Sequence, residues 1–209
     1  MNTASMAPVV LLGFNRPELT KQVFEVIRGI KPEKLFLVMD GPRAGFSEDV
    51  RLVSETREVV ADIDWPCEVV REYAPENLGL KRRITSGLDL VFDLCDRAII
   101  VEDDCVADPS FFTFCHELLS RYETSPEVGI IGGSSRLRGH WNAESSYGFS
   151  SDIRIWGWAT WARVWKEFSR SGDLEVSWSE TERARIQESV APGPRRRAFG
   201  TMLDKASTL

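Results

Sequence analysis

Residues 98 to 104 read AIIVEDD, an apolar run that ends in three consecutive acids, Glu102, Asp103 and Asp104. Two carboxylates about 4 Å apart repel by roughly 1 kcal/mol in water and by about 4 kcal/mol at an effective dielectric of 20. No basic residue adjoins them in the sequence. A hard divalent cation reverses the sign, since magnesium or manganese is held by a few carboxylate oxygens, water and substrate phosphates. The competing reading is a solvated cluster ahead of a helix, but Asp108 and Pro109 already supply that helix with a cap and a first residue. Capping therefore leaves the other three acids unexplained.

A second stretch, NLGLKRR (77 to 83), puts Lys81, Arg82 and Arg83 in the first turn of an expected helix, where the macrodipole disfavours each cation by roughly 0.3 to 1 kcal/mol. A phosphate near that N-terminus would remove the conflict, with Gly79 allowing close backbone approach; otherwise the three side chains splay into solvent. Arg16, just ahead of Pro17, repeats the theme more weakly. Asn15 reads equally well as a cap, and Asp40-Gly41-Pro42 as a turn. In WGWATWARVW (156 to 165), Trp158, Trp161 and Trp165 stand at i, i+3 and i+7, which predicts a helical stripe turned to the core. Trp156, beside Gly157 in the loop before it, is placed to stack on a sugar face.

The elements that must position these residues alternate. Apolar runs at 8–14, 34–40, 67–71, 97–101 and 128–133 read as strands, and the first four are followed by helical patterns at 17–29, 48–61, 79–94 and 108–122. In the first helix Leu19, Val23, Phe24 and Ile27 fall at helical spacing. Near-continuous apolar strands alternating with helices predict an α/β fold, a mostly parallel sheet covered on both faces. Ligands of such sheets bind outside the carboxyl ends of the strands, where strand order reverses. That rule gathers Asn15-Arg16, Asp40 to Arg43, Glu76 to Gly79 and Glu102 to Asp104. Beyond residue 134 the rhythm breaks, dividing one domain into a binding half at 1–133 and a second region at 134–209.

With 209 residues, 43% hydrophobic and 28% charged, the chain can build one large domain with its own core. A net charge of -6 with both signs mixed gives no general affinity for nucleic acid or anionic lipid, so an anion must be bound locally. The opening MNTASMAPVVLLGFNRP has no basic stretch, and its apolar run from Val9 to Leu12 is too short for a signal peptide or a membrane span. A cytoplasmic protein is expected. Cys67, Cys95, Cys105 and Cys115 show no CxxC spacing and suit reduced thiols.

Assembled, these motifs resemble the glycosyltransferases of the GT-A fold, in particular the bacterial family-2-like group. NLGL (Asn77 to Leu80), VEDD (Val101 to Asp104) and WGWATW (Trp156 to Trp161) stand in that order, after GFNRP (13 to 17) and DGPR (40 to 43) at the first and second strand ends. The resemblance covers nearly the whole chain. It implies a Rossmann-like nucleotide-diphospho-sugar transferase fold and a nucleotide-sugar donor, with UDP favoured. The enzyme would pass a hexosyl or N-acetylhexosaminyl group to a glycan, lipid-linked or protein acceptor. Phe14, Asn15, Arg16 and Asp40 would face the nucleoside, Asn77 and Gly79 would belong to the same donor site, and Lys81 would serve the diphosphate. Asp103 would lie near ribose or metal. Asp104, the last acid of the DxD-like motif, would ligate Mn2+ or Mg2+, with Glu102 supporting the loop.

Relatives of this kind usually continue past the tryptophan motif into an acceptor half carrying a general base. Here RRRAFGTMLDKASTL ends at Leu209 inside what reads as a helix, so a truncated chain is expected, with the base beyond Leu209. Asp152, Glu167 and Glu180 carry no signal that singles one out for that role. A sugar nucleotidyltransferase shares the architecture but wants a long Gly-rich phosphate clamp, and LLGFNRP has one glycine. A dehydrogenase lacks its GxGxxG. A receiver domain would need its acid pair on the first strand. A noncatalytic nucleotide-sugar-binding module stays in contention, separable by metal-dependent binding without turnover.

Overall fold

The structure is a computed structural model and describes residues 6–134, 146–150, 154–171 and 201–204. Four strand-helix units come first: β1 (Val9–Gly13), α1 (Pro17–Ile30), β2 (Lys34–Met39), α2 (Ser47–Val59), β3 (Glu68–Tyr73), α3 (Leu80–Leu94), β4 (Arg97–Glu102) and α4 (Pro109–Arg121). They are followed by β5 (Ile130–Gly132), β6 (Tyr147–Ser150), β7 (Trp158–Trp161), α5 (Ala162–Ser171) and β8 (Thr201–Asp204). Among the described residues the strands form one eight-stranded sheet in the order β3-β2-β1-β4-β7-β5-β8-β6. β3, β2, β1 and β4 are parallel, while β7 runs antiparallel to both β4 and β5. This is the Rossmann-like, mostly parallel α/β arrangement that the alternation of strands and helices predicts.

Strand alternation divides the core in two. Val9, Leu11, Leu35, Leu37, Ile99 and Val101 pack with Val23, Phe24 and Ile27 of α1 and with Phe111, Cys115 and Leu119 of α4. Val10, Leu12, Phe36, Val38, Ala98 and Ile100 pack on the other face with Leu88, Val91 and Phe92 of α3 and with Trp165. Both faces are apolar because both are covered, and each large side chain so buried stabilises the fold by about 1.5 to 3 kcal/mol. In α1 the buried stripe is Thr20, Val23, Phe24 and Ile27, whereas Leu19 is 37% exposed. Thr20 is tolerated inside because its hydroxyl donates to the Arg16 carbonyl at 2.8 Å.

Two local expectations change. Trp158 and Trp161 lie on β7 and only Trp165 is helical, so the three do not form one helical stripe. All three are nonetheless buried. Pairing explains the strand: Ala159 and Thr160 face Ile99 and Ala98 on one side and Ile131 and Ile130 on the other. Trp161 Nε1 donates to the Leu119 carbonyl on one face (3.1 Å), and Trp165 Nε1 to Asp89 Oδ1 of α3 on the other (2.8 Å). The tail also differs, since residues 201–204 form β8 between β5 and β6 rather than a helix. Sheet pairing there overrides the helical preference of Met and Leu. Among the described residues no helix is long and apolar enough to cross a membrane.

The loops after β2 and β3 are zipped together. Ala74 N–H donates to the Met39 carbonyl (3.0 Å) and Asn77 N–H to the Pro42 carbonyl (3.2 Å). Gly41 sits so close that a Cβ there would lie 2.5 Å from the Glu76 carbonyl carbon. Gly41→Ala is therefore expected to lower stability by about 1 to 3 kcal/mol in denaturant unfolding. Gly29→Ala, with nothing within 4 Å of the added methyl, should raise it by about 0.5 to 1 kcal/mol. Equal midpoints for the two variants would refute the close approach at Gly41.

Candidate functional site

The parallel register brings the strand ends level. Leu12 pairs with Val38 on one side and Glu102 on the other, so the segments that follow emerge at one rim. Chain order reverses between β1 and β4, which makes the crevice above that pair the place where a doubly wound sheet accepts ligands.

Arg16 joins the segment after β1 to the segment after β4. Its Nη2 forms an ion pair with Asp103 Oδ1, and its Nη1 binds Asp104 Oδ2 at 2.7 Å. Asp103 Oδ2 also accepts the Phe14 N–H at 3.1 Å. The two acids differ in setting, for the Asp103 side chain is 2% exposed and that of Asp104 41%. An exposed pair such as Arg16 with Asp104 contributes about 0 to 1 kcal/mol, whereas removing the partner of a buried charge costs about 3 to 5 kcal/mol. Asp103 is thus the anchor of Arg16 and Asp104 its loosely held second contact. The sequence shows no cation beside the acids; the fold brings one from 87 residues away.

Burial pushes the Glu102 carboxyl above its ordinary range, and the charges of Asp104 and Asp103 push it further, with Arg16 opposing. Burial likewise raises Asp103, held back by Arg16 and by the Phe14 N–H. The Cys105 thiol is pushed up to about 12 by burial and the neighbouring acids, so it stays protonated. Among the described residues no three His, Cys, Asp or Glu side chains converge on a common point. Asp103 and Asp104 are two carboxylates of the kind that, with substrate phosphates and water, could hold a magnesium or manganese ion. The guanidinium on the acids is itself evidence that this position accepts positive charge.

Asp40 has a different task. Its buried carboxylate accepts the N–H groups of Gly41 (2.9 Å), Leu78 (2.9 Å) and Gly79 (3.2 Å) and the Asn77 amide (2.9 Å). Four donors fill the four lone-pair directions of a carboxylate. Asn77 also reaches the Gly41 carbonyl at 3.1 Å, and Arg57 ties the Asp40 and Ala74 carbonyls together at 3.2 and 2.6 Å. Gly79, at φ +77°, turns the chain into α3. The carboxylate therefore already meets the positive end of α3, which relieves part of the electrostatic conflict seen in the sequence. Of the three cations there, Lys81 and Arg82 are exposed, while Arg83 is buried and turned to Glu72 of β3 at 3.4 Å.

Asn15 donates to Asp49 Oδ1 at 2.8 Å rather than capping α1. Asp49, near the start of α2, also takes the Arg43 Nε at 2.6 Å and Nη2 at 3.0 Å, and these bonds hold its carboxyl well below the usual range. The Arg43 guanidinium lies 4.5 Å from the Phe46 ring centroid and 5.6 Å from that of Phe14. Asp49 and Phe46 were not singled out in the sequence, where one reads as an ordinary first-turn acid and the other as a loop apolar residue. Phe46 is 55% exposed at the rim.

Trp156 lies at the same rim. Trp158 pairs with Ile100 in antiparallel register, so the segment ahead of β7 that carries Trp156 lies toward the carboxyl end of β4. The indole is 71% exposed, next to Gly157 at φ +68°, whose carbonyl accepts the Gly133 N–H at 2.9 Å. Glu167 is exposed on α5, whose Trp165 and Ser169 reach Asp89 of α3. Asp152, Glu180 and Leu209 lie outside the described residues.

No family model matches the chain, and no curated protein does. Solved structures do. 4-Diphosphocytidyl-2C-methyl-D-erythritol synthase from Anaerococcus prevotii superposes with a TM-score of 0.54 at 8% identity, covering 98% of this chain and 91% of that one. A cytidylyltransferase from Leptospira borgpetersenii superposes with a TM-score of 0.51 at 9% identity, covering 90% and 76%. The WbbM bifunctional glycosyltransferase in its apo form gives 0.38 at 11% identity, covering 80% and 33%. At these identities the first two likenesses show the fold alone, a mostly parallel α/β sheet covered by helices.

The Asp40 clamp yields a test. Asp40→Ala leaves three backbone N–H groups and an amide without their acceptor, so a loss of at least about 2 kcal/mol is expected. Amide exchange at Leu78 and Gly79 should accelerate at the same time. Unfolding and exchange at wild-type values would show that the carboxylate does not organise this loop.

Proposed function

We propose that the chain binds a nucleoside-diphosphate sugar in the crevice above β1 and β4 and transfers the sugar to an acceptor on the Trp156 side. The observation that carries this reading is the meeting of Arg16 with Asp103 and Asp104 at the strand-order switch, framed by the Asp40 loop and by Trp156. Phe14 and the neighbouring Arg43-Phe46 pair offer aromatic faces to the base, and Asn15 and Asp49 fix them. Asp40, Asn77 and Gly79 contribute by setting the backbone beside the nucleoside. Lys81 and Arg82, exposed on the first turn of α3, supply positive charge for the diphosphate. Asp104, with Glu102 adjoining, is the residue to hold Mn2+ or Mg2+. When bound, that ion would act as a Lewis acid and neutralise the leaving nucleoside diphosphate. Trp156 provides a flat apolar face for a sugar ring.

A second reading, nucleotidyl transfer to a sugar phosphate, is favoured by the fold shared with the two cytidylyltransferase structures. Against it, only Phe14, Asn15 and Arg16 separate β1 from α1, too short a connection to wrap a triphosphate. Calorimetry with UDP and GDP, in manganese and then in chelator, tests the donor site. Pyrophosphate release from a nucleoside triphosphate and a sugar phosphate tests the alternative. Metal-dependent UDP binding without pyrophosphate release is expected, and the reverse pattern would make the chain a nucleotidyltransferase. Lys81→Ala should weaken UDP by roughly tenfold while leaving uridine unchanged; an equal loss for both ligands would remove its phosphate role. Trp156→Ala should leave the unfolding midpoint in place and lower sugar binding, and a change confined to stability would count against the stacking role.

A further inference from the structure

Arg16 makes two contacts of unequal kind. The Arg16 carbonyl accepts both the Thr20 N–H (2.9 Å) and the Thr20 hydroxyl (2.8 Å), which pins it to the first turn of α1. Nη2 is anchored on Asp103, a carboxylate 2% exposed whose other oxygen is held by Phe14. Nη1 rests on Asp104 Oδ2, where both partners are over 40% exposed. A metal ion at Asp104 and a guanidinium on the same carboxylate are like charges in contact, so they compete for it. Letting go of Asp104 would leave Nη1 directed into the crevice without a partner. A diphosphate oxygen is the acceptor best suited to fill that vacancy, since guanidinium and phosphate form short, charge-assisted bonds. It would also meet the positive N-terminal end of α1.

We infer that Arg16 is the resident counter-ion of this site and gives up Asp104 to the metal only when a diphosphate arrives to take its Nη1. This rests on the donor and metal reading above and adds to it an order: metal and nucleotide bind interdependently because one cation must leave the carboxylate before another can occupy it. Arg16 is thereby a positioning residue, staying on Asp103 throughout and changing only its second partner. Any cation that binds Asp104 before the nucleotide has to displace the guanidinium, which makes the nucleotide-free protein a poor metal binder.

The measurement is Mn2+ binding by electron paramagnetic resonance of the free ion, with and without UDP, on wild type, R16Q and the double variant R16Q/D103N. The double variant removes both members of the buried pair, so it reports even where R16Q alone folds poorly. In wild type UDP should tighten Mn2+ strongly. In R16Q Mn2+ without nucleotide should bind about tenfold more tightly than to wild type, and in both variants the effect of UDP should shrink by a similar factor. If variants and wild type bind Mn2+ alike without UDP and respond alike to it, the exchange at Arg16 is overturned while the metal reading stands. If no form binds Mn2+ with or without UDP, the metal reading fails and the exchange fails with it.

Discussion

The site depends on β1 lying between β2 and β4 in parallel register. With Leu12 paired to Val38 and Glu102 at once, the chain has no freedom over where residues 14–16, 40 and 103 emerge. Every polar feature of the rim follows from that level. The Asp40 N–H donates to the Gly13 carbonyl at 2.8 Å, which sets the Asp40 carboxylate beside the loop after β3, and the Phe14 N–H reaches across to Asp103. A slip of one residue in either pairing would bury Arg16 or strand the acids.

Around this frame the charges are arranged in a consistent way. Each buried acid at the rim is met by donors from another segment: Asp40 by the loop after β3, Asp49 by Asn15 and Arg43, and Asp103 by Phe14 and Arg16. These cross-links tie the loops of β1, β2, β3 and β4 to one another. The more exposed groups, Asp104, Lys81, Arg82 and Trp156, are left to the open side. Cross-linked loops with exposed groups beyond them suit a binding site, because ligand contacts then cost little ordering of the protein.

The strands were legible because buried parallel strands are apolar throughout, and KLFLVM or RAIIV has no other economical reading. The Asp108 cap was equally plain, and its carboxylate does accept the Ser110 N–H at 2.9 Å. Where partners are distant in the chain, the reading fell short. Arg16 could not be matched to Asp103, nor Asp40 to the N–H groups of Leu78 and Gly79, since neither pairing leaves a local pattern. The tryptophans misled for a related reason. Spacing of i, i+3 and i+7 was present, but Trp158 and Trp161 are fixed by neighbours on β4 and β5, and strand pairing outranks periodicity over so short a stretch. Leu19 and Thr20 show the same at one position, where an accessible backbone carbonyl decided which of the two turned inward.

The long reach between β1 and β4 also bears on how the molecule acquires its structure. β1, α1 and β2 are consecutive and can associate early, because little chain must be closed to join them. The bridge from Arg16 to Asp103 spans 87 residues and cannot form until β4 has docked beside β1, after α2, β3 and α3 have been accommodated. Until then Asp103 is solvated and Arg16 is an ordinary surface arginine. The bridge is therefore a contact of high sequence separation, which by loop-closure entropy is costly to form before the intervening chain is ordered.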